Sequence, residues 1–212
     1  MTEPRFLLHH APRSRSGRIL WLLEEASAPY DLVWHSLAQG THKRDDYLLK
    51  NPHGKVPTLE DRGPEGAWGD VIITESAAIC AYLADLLPEA RLAPAVGTRA
   101  RASYATWMAY ANGVLEPAMA DQAFPRAKTA PASALGWPAF SEAVARVEGA
   151  LARGPWLLGS HFSAADVMVG ALLAWVVGWG MLQPGPNVSR YLAEMEARPA
   201  RQRALAREDV PA

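Results

Sequence analysis

The stretch Asn51-Pro52-His53-Gly54-Lys55-Val56-Pro57-Thr58-Leu59 decides the fold. Its first half, with Asn-Pro and Gly, reads as a turn, and its apolar second half as a strand that a proline opens. Proline lacks the N–H that a ladder uses, so it sits at the start of a strand or on an edge. Towards the N-terminus, Asp45 to Lys50 is a short helical piece that this turn stops. Before it, Tyr30-Asp31-Leu32-Val33-Trp34 has the β-favouring residues of a strand. Ile19, Leu20, Leu22 and Leu23 recur at helical spacing, with Glu24 and Glu25 on the other side and Pro29 as the stop. Phe6-Leu7-Leu8-His9 is a short buried strand. Strand, helix, strand predicts a parallel pair with a right-handed crossover. Towards the C-terminus, Arg62 to Gly69 is a turn, and Val71-Ile72-Ile73 a fourth strand in a hairpin with the third. From Ser76 a helix runs through Ile79, Tyr82, Leu83 and Leu86. The order is βαβ, then ββα.

Beyond the proline-bearing joint Pro88–Pro94, strand signals vanish. Helices are predicted over Arg99–Met119, Pro138–Arg153, Ser163–Leu182 and Ser189–Glu208, the last broken at Pro199. The expected organisation is an α/β domain over 1–87 and an all-helical domain over 95–212. Ser163 and Asp166 have the spacing of a capping box, with Phe162 and Val167 as its hydrophobic staple. Val167–Leu182 is uncharged but short of the roughly 20 residues of a membrane span. With Gly170, Gly178 and Gly180 inside it, it reads as a core helix.

Half of the 212 residues are hydrophobic and 20% are charged, with a formal net charge of -1. That composition supports a packed core and gives no basic face for nucleic acid. Cys80 is the one cysteine, so an intrachain disulfide is impossible and a cytoplasmic, reducing location is expected. The six histidines show no metal-ligand spacing. His9 and His10, adjacent on a strand, are expected to face opposite sides.

Four segments, in order, carry a resemblance that covers nearly the whole chain: His10-Ala11-Pro12-Arg13-Ser14-Arg15-Ser16-Gly17-Arg18-Ile19, the Asn51–Leu59 stretch, Thr74-Glu75-Ser76-Ala77-Ala78-Ile79, and Phe162-Ser163-Ala164-Ala165-Asp166-Val167. Together they resemble the cytosolic glutathione transferases with a serine-type active-site loop. The resemblance implies a thioredoxin-like N-terminal domain, a C-terminal helical bundle and a homodimer. It implies glutathione as co-substrate, a small hydrophobic electrophile as second substrate, and no metal, nucleic acid or membrane partner. The expected role is detoxification by conjugation, with attack on hydroperoxides as an accompanying activity.

By the same resemblance Ser14 donates a hydrogen bond to the glutathione sulfur. Ser16 is the alternative, and either serine can instead be a helix cap. A free thiol titrates near 8.5, and a hydroxyl donor beside a helix N-terminus favours its thiolate. Val56-Pro57 is implied to be cis, with the Val56 main chain pairing with the cysteinyl part of glutathione. Glu75 and Ser76 are implied to hold the γ-glutamyl end at a helix start. His42, Lys43 and Lys55 are candidates for the glycyl carboxylate, with solvated loop charges as the alternative. Pro12, Trp107, Met108 and Ala111 are candidates for the electrophile pocket, core packing being the alternative for the helical three. The loop has neither the cysteine nor the tyrosine of other branches. The Gly63–Asp70 turn is longer than usual for the family, and an open cleft is expected. The rival readings are a glutathione-dependent isomerase of the maleylacetoacetate type and a non-catalytic scaffold on the same fold.

Overall fold

The computed structural model describes residues 3–69, 71–128 and 130–208. Asp70, at the end of the long turn, and residues 209–212 of the predicted helical half lie outside the described residues. The chain forms two compact units, Met1–Ala90 with Arg198–Ala212, and Arg91–Ala197.

The first unit is built on β1 (Phe6–His10), β2 (Tyr30–Trp34), β3 (Thr58–Asp61) and β4 (Val71–Thr74), in the order β2-β1-β3-β4. β1 and β2 are parallel, and β1–β3 and β3–β4 antiparallel. α1 (Ser16–Glu25) is the crossover, α2 (Asp45–Leu48) is the short piece before the third strand, and α3 (Ser76–Leu86) follows β4. α1 packs on β1 and α3, and α3 on β4. Phe6, Leu8, Ile19, Leu22, Leu59, Ile79 and Leu83 are buried in the core. This is the thioredoxin-like arrangement.

Val56 and Pro57 precede the third strand instead of opening it. Pairing with β1 starts only where Thr58 meets His9. The 62–69 turn is held by Trp68, whose ring lies where a Cβ on Gly63 (φ 73°) would sit, and the Arg5 guanidinium is 4.9 Å from the same ring.

The second unit contains α4 (Arg99–Tyr110), α5 (Glu116–Ala123), α6 (Phe140–Leu151), α7 (Ala164–Gly178) and α8 (Pro186–Glu196). The single helix predicted over Arg99–Met119 is interrupted by a π-helical stretch, Ala111–Leu115. Pro117 is the cause: it has no N–H for the carbonyl of Gly113, and its ring crowds that carbonyl. α7 is buried, and α4 and α8 pack against it. Its capping box is formed. Asp166 accepts the Ser163 amide at 2.8 Å, the Ser163 hydroxyl at 3.0 Å and the Leu157 amide at 2.9 Å.

α9 (Pro199–Ala206) differs from the sequence expectation, which ran the helical domain to the end of the chain. It packs on α1 in the first unit, with Ala200 and Ala204 buried. Arg198 forms a two-pronged pair with Glu25 at 2.6 and 2.7 Å, and Arg203 reaches Glu24 at 2.7 Å. The polar side of α1 is therefore a docking face. Among the described residues, no helix is long and apolar enough to cross a membrane.

Candidate active site

The sheet register gathers three of the four quoted segments. Thr58 lies opposite His9 on one side and Thr74 on the other. The residues just beyond these three, His10–Ala11, Pro57–Val56 and Glu75–Ser76, therefore emerge at one end of the sheet.

The first is the loop into α1. Arg13 stands at φ 52°, a left-handed conformation costing a non-glycine residue about 1–2 kcal/mol. Arg13 and Arg15 are exposed, while Ser14 and Ser16 turn inward. Ser14 is 9% exposed and Ser16 0%. The two hydroxyls are 2.7 Å apart. Ser14 also donates to the Ala11 carbonyl at 2.7 Å and accepts the Ser16 amide at 3.2 Å. Ser16 accepts the Ala11 amide at 3.1 Å and lies 2.9 Å from Nδ1 of His10. The position that begins the cap of α1 is Arg15, and no side chain caps it. Ser14, one position outside that cap, nevertheless accepts the amide of Ser16, the first residue of α1, so it also serves the helix start. Pro12 is partly exposed in the same loop.

The second is Val56–Pro57, a cis peptide. The Lys55 carbonyl before it is held by the Tyr47 hydroxyl at 2.5 Å and the Asn51 side-chain amide at 2.9 Å. Among the described residues, no hydrogen bond engages the Val56 main chain. A partly exposed N–H and C=O beside a sheet can accept an extended peptide.

The third is Glu75, exposed and at φ 68°, ψ 120°, immediately before α3. This backbone region is one that glycine favours, and strain of that kind gathers at ligand sites. Ser76 is buried as the first residue of α3.

The basic candidates fare differently. Lys43 is exposed and donates one hydrogen bond to the His53 carbonyl at 2.7 Å, which leaves two N–H donors and the full charge of its ammonium. His42 is half-buried, with its Nδ1 unpartnered. Lys55 is exposed. The turn carrying His42 and Lys43 packs on Gly54 (φ 54°), where a Cβ would come within 2.7 Å of the His42 carbonyl.

Trp107, Met108 and Ala111 are buried in the second unit. Trp107 stacks edge-on with Tyr110 at 5.2 Å, and the Arg146 guanidinium is 5.4 Å from its ring. It lines a cavity of about 610 Å³ with Ser103, Arg153 and Leu158. Cys80 is fully buried, and burial pushes its thiol up to about 12, which keeps it protonated and unreactive.

The histidine reading gave facing but not partners. His9 and His10 do face opposite sides. His9 Nε2 meets Glu60 at 2.5 Å and its Nδ1 meets Nε2 of His35 at 2.8 Å. Lys50 reaches the other Glu60 oxygen at 2.7 Å. Burial pushes His35 down to about 4, with His9 and His42 adding to the effect. His10 contacts Ser16 and, through Nε2 at 3.1 Å, the main-chain oxygen of Glu208. The alternation of the strand was the only signal for these partners. Among the described residues, no group of three His, Cys, Asp or Glu could hold a metal ion.

Comparison with known proteins agrees with this geometry. The family model described as Glutathione S-transferase, N-terminal domain matches residues 14–86, and that for the C-terminal domain matches residues 116–194. The chain is 29% identical to the disulfide-bond oxidoreductase YfcG of Escherichia coli, over 93% of each chain. It superposes on a glutathione transferase of Methylococcus capsulatus with TM-score 0.80 and 30% identity, covering 96% of this chain and 98% of that one. A sphingomonad glutathione S-transferase complexed with glutathione gives TM-score 0.76 and 28% identity, over 97% and 100%. The matches cover both halves of the chain, and with the shared architecture they establish that it belongs to the glutathione transferase family.

Proposed function

We propose that this protein binds glutathione at the sheet end described above and uses the bound thiolate to attack small hydrophobic electrophiles. The observation that carries the reading is the register that sets His9, Thr58 and Thr74 side by side. It supports one ligand running between the Ser14 loop, the free Val56 main chain and the start of α3. Glutathione suits that line: its cysteinyl backbone forms a ladder with Val56, and its γ-glutamyl carboxylate meets the unpaired amides and dipole of α3. Glu75 takes the γ-glutamyl ammonium, and His42, Lys43 and Lys55 are assigned to the glycyl carboxylate. Ser14, the more exposed of the two serines, is assigned to the sulfur. The structure of the sphingomonad relative contains glutathione, which supports the ligand. A homodimer is proposed from family membership.

The likeness to YfcG favours a second reading, thiol–disulfide exchange. With Cys80 buried and held protonated, the attacking thiolate in that chemistry is also that of glutathione. One experiment tests both. Glutathione is titrated calorimetrically, and turnover is measured with activated aryl halides, activated alkenes, hydroperoxides and a mixed disulfide. Binding with conjugation is expected. Binding without turnover of any class would leave a scaffold, and no binding would overturn the proposal.

A further inference from the structure

Resting on that reading, we propose that His10 is a positioning residue, and that the chain Ser14–Ser16–His10 couples ionisation of the glutathione thiol to protonation of His10. A carbonyl only accepts, so the 3.1 Å contact with the Glu208 oxygen puts a hydrogen on Nε2. In the neutral ring Nδ1 is then an acceptor, and it takes the Ser16 hydroxyl at 2.9 Å. Ser16 Oγ in turn accepts the Ala11 amide and the Ser14 hydroxyl. The second acceptor for Ser14, the Ala11 carbonyl, also points its proton inward. In this state Ser14, which also accepts the Ser16 amide, has one lone pair left to present outward and no proton to offer a sulfur anion.

Protonation of His10 reverses the chain. Nδ1–H donates to Ser16, Ser16 to Ser14, and Ser14 outward to the sulfur. The step balances as follows. The S–H bond breaks and its proton goes to Ser14 Oγ. The Ser14 proton goes to Ser16 and the Ser16 proton to Nδ1. The electron pair stays on sulfur, giving thiolate and imidazolium with no change in net charge. When the sulfur adds to an activated alkene, the S–C bond forms and the π pair moves to the neighbouring carbon. The proton returns to that carbon along the same path.

The surroundings suit a ring that is neutral at rest and charged in use. Burial lowers the proton affinity of His10, while the Glu208 carbonyl opposes that and favours the cation. The Trp34 ring of β2 lies edge-on at 5.1 Å. At the C-terminal end, Glu208 also brings its carboxylate towards Gly17 at the start of α1. His9, Glu60 and Lys50 form their own hydrogen-bonded group on the opposite face of β1.

The test counts protons. Glutathione is added to the protein in weak buffer near pH 6.5, a pH chosen close to the ordinary histidine value. Bound thiolate is read by ultraviolet absorbance, and released protons by an indicator dye. The wild type should release clearly less than one proton per thiolate, because His10 retains it. Ser16→Ala and His10→Gln should each release about one. Ser16→Ala removes a single buried oxygen, so the test survives if His10→Gln does not fold. About one proton per thiolate in the wild type would overturn the relay and leave the Ser14 assignment standing. Bound glutathione with no thiolate in the wild type would overturn both.

Discussion

Ser14 and Ser16 are two residues apart and share a hydrogen bond, yet only Ser14 retains a sliver of exposed surface. Ser14→Ala should therefore leave glutathione affinity nearly unchanged, because Val56 and Glu75 remain. The bound thiol should titrate near the free value of about 8.5, and turnover at pH 7 should fall by about one to two orders of magnitude. Part of the loss should return near pH 9; spectrophotometric titration of the complex and a pH–rate profile would show it. An unmoved thiol titration would remove Ser14 from the chemistry. Glu75 combines an exposed carboxylate with strained backbone. Glu75→Ala should raise KM for glutathione several-fold at similar stability. Glu75→Gly should raise KM as well, while gaining about 1 kcal/mol in denaturant melts from relief of φ. If Glu75→Gly gains nothing, the conformation is not strained.

At the scale of the element, the box that starts α7 does more than cap. Besides Ser163, the Asp166 carboxylate accepts the Leu157 amide at 2.9 Å, and the Tyr191 hydroxyl lies 3.0 Å from the Asp166 main-chain oxygen and 3.3 Å from its carboxylate. An ordinary cap is worth about 0.5–2 kcal/mol. Asp166→Ala should cost roughly 2–3 kcal/mol in urea melts, because it also leaves buried donors without an acceptor. A loss below that range would mean the donors find other partners. The box was legible from Ser-x-x-Asp before an apolar run, a local pattern. The return of α9 to α1 was not, since its alanine face and the Arg198–Glu25 pair are separated by 173 positions in the chain.

Across the whole molecule, the His35–His9–Glu60–Lys50 chain ties β1 and β3 to the segment that carries α2. Burial lowers the proton affinity of both His9 and His35; with Glu60 accepting the His9 Nε2–H, a neutral His9 accepts from His35 through Nδ1. The value for His35 is about 4 in the folded protein and about 6.5 unfolded. Between these values the unfolded chain binds more protons. Its stabilising contribution is therefore complete above pH 6.5 and is lost as pH falls towards 4. Asp166, pushed up to about 6 by burial, acts in the opposite sense from its ordinary 3.8 upwards. Wild type and His35→Gln share that carboxyl, so it cancels in their difference. Over this window the wild type should lose about 1–3 kcal/mol more than the variant in melts at a series of pH values. Parallel curves would show that His35 is not buried neutral.

The sequence by itself determined the order of strands and helices in the α/β half, the start of α3 at Ser76, the capping box of α7 and the opposite facing of His9 and His10. Each follows from spacing along the chain: period two in strands, period 3.6 in helices, and fixed offsets at caps. It also supplied, through resemblance, the cis bond at Val56–Pro57, which the structure contains. Tertiary structure alone decided that β3 begins at Thr58, because a strand starts where it finds a partner and Thr58 finds His9. It decided that Ser16 is sealed while Ser14 meets the surface, that Lys43 donates to the His53 carbonyl, and that Trp107 packs beside Arg146. It also brought the Glu208 carbonyl to His10, across 198 positions. The direction in which each side chain's hydrogen-bonding groups point depends on neighbours distant in sequence, and no local periodicity encodes them.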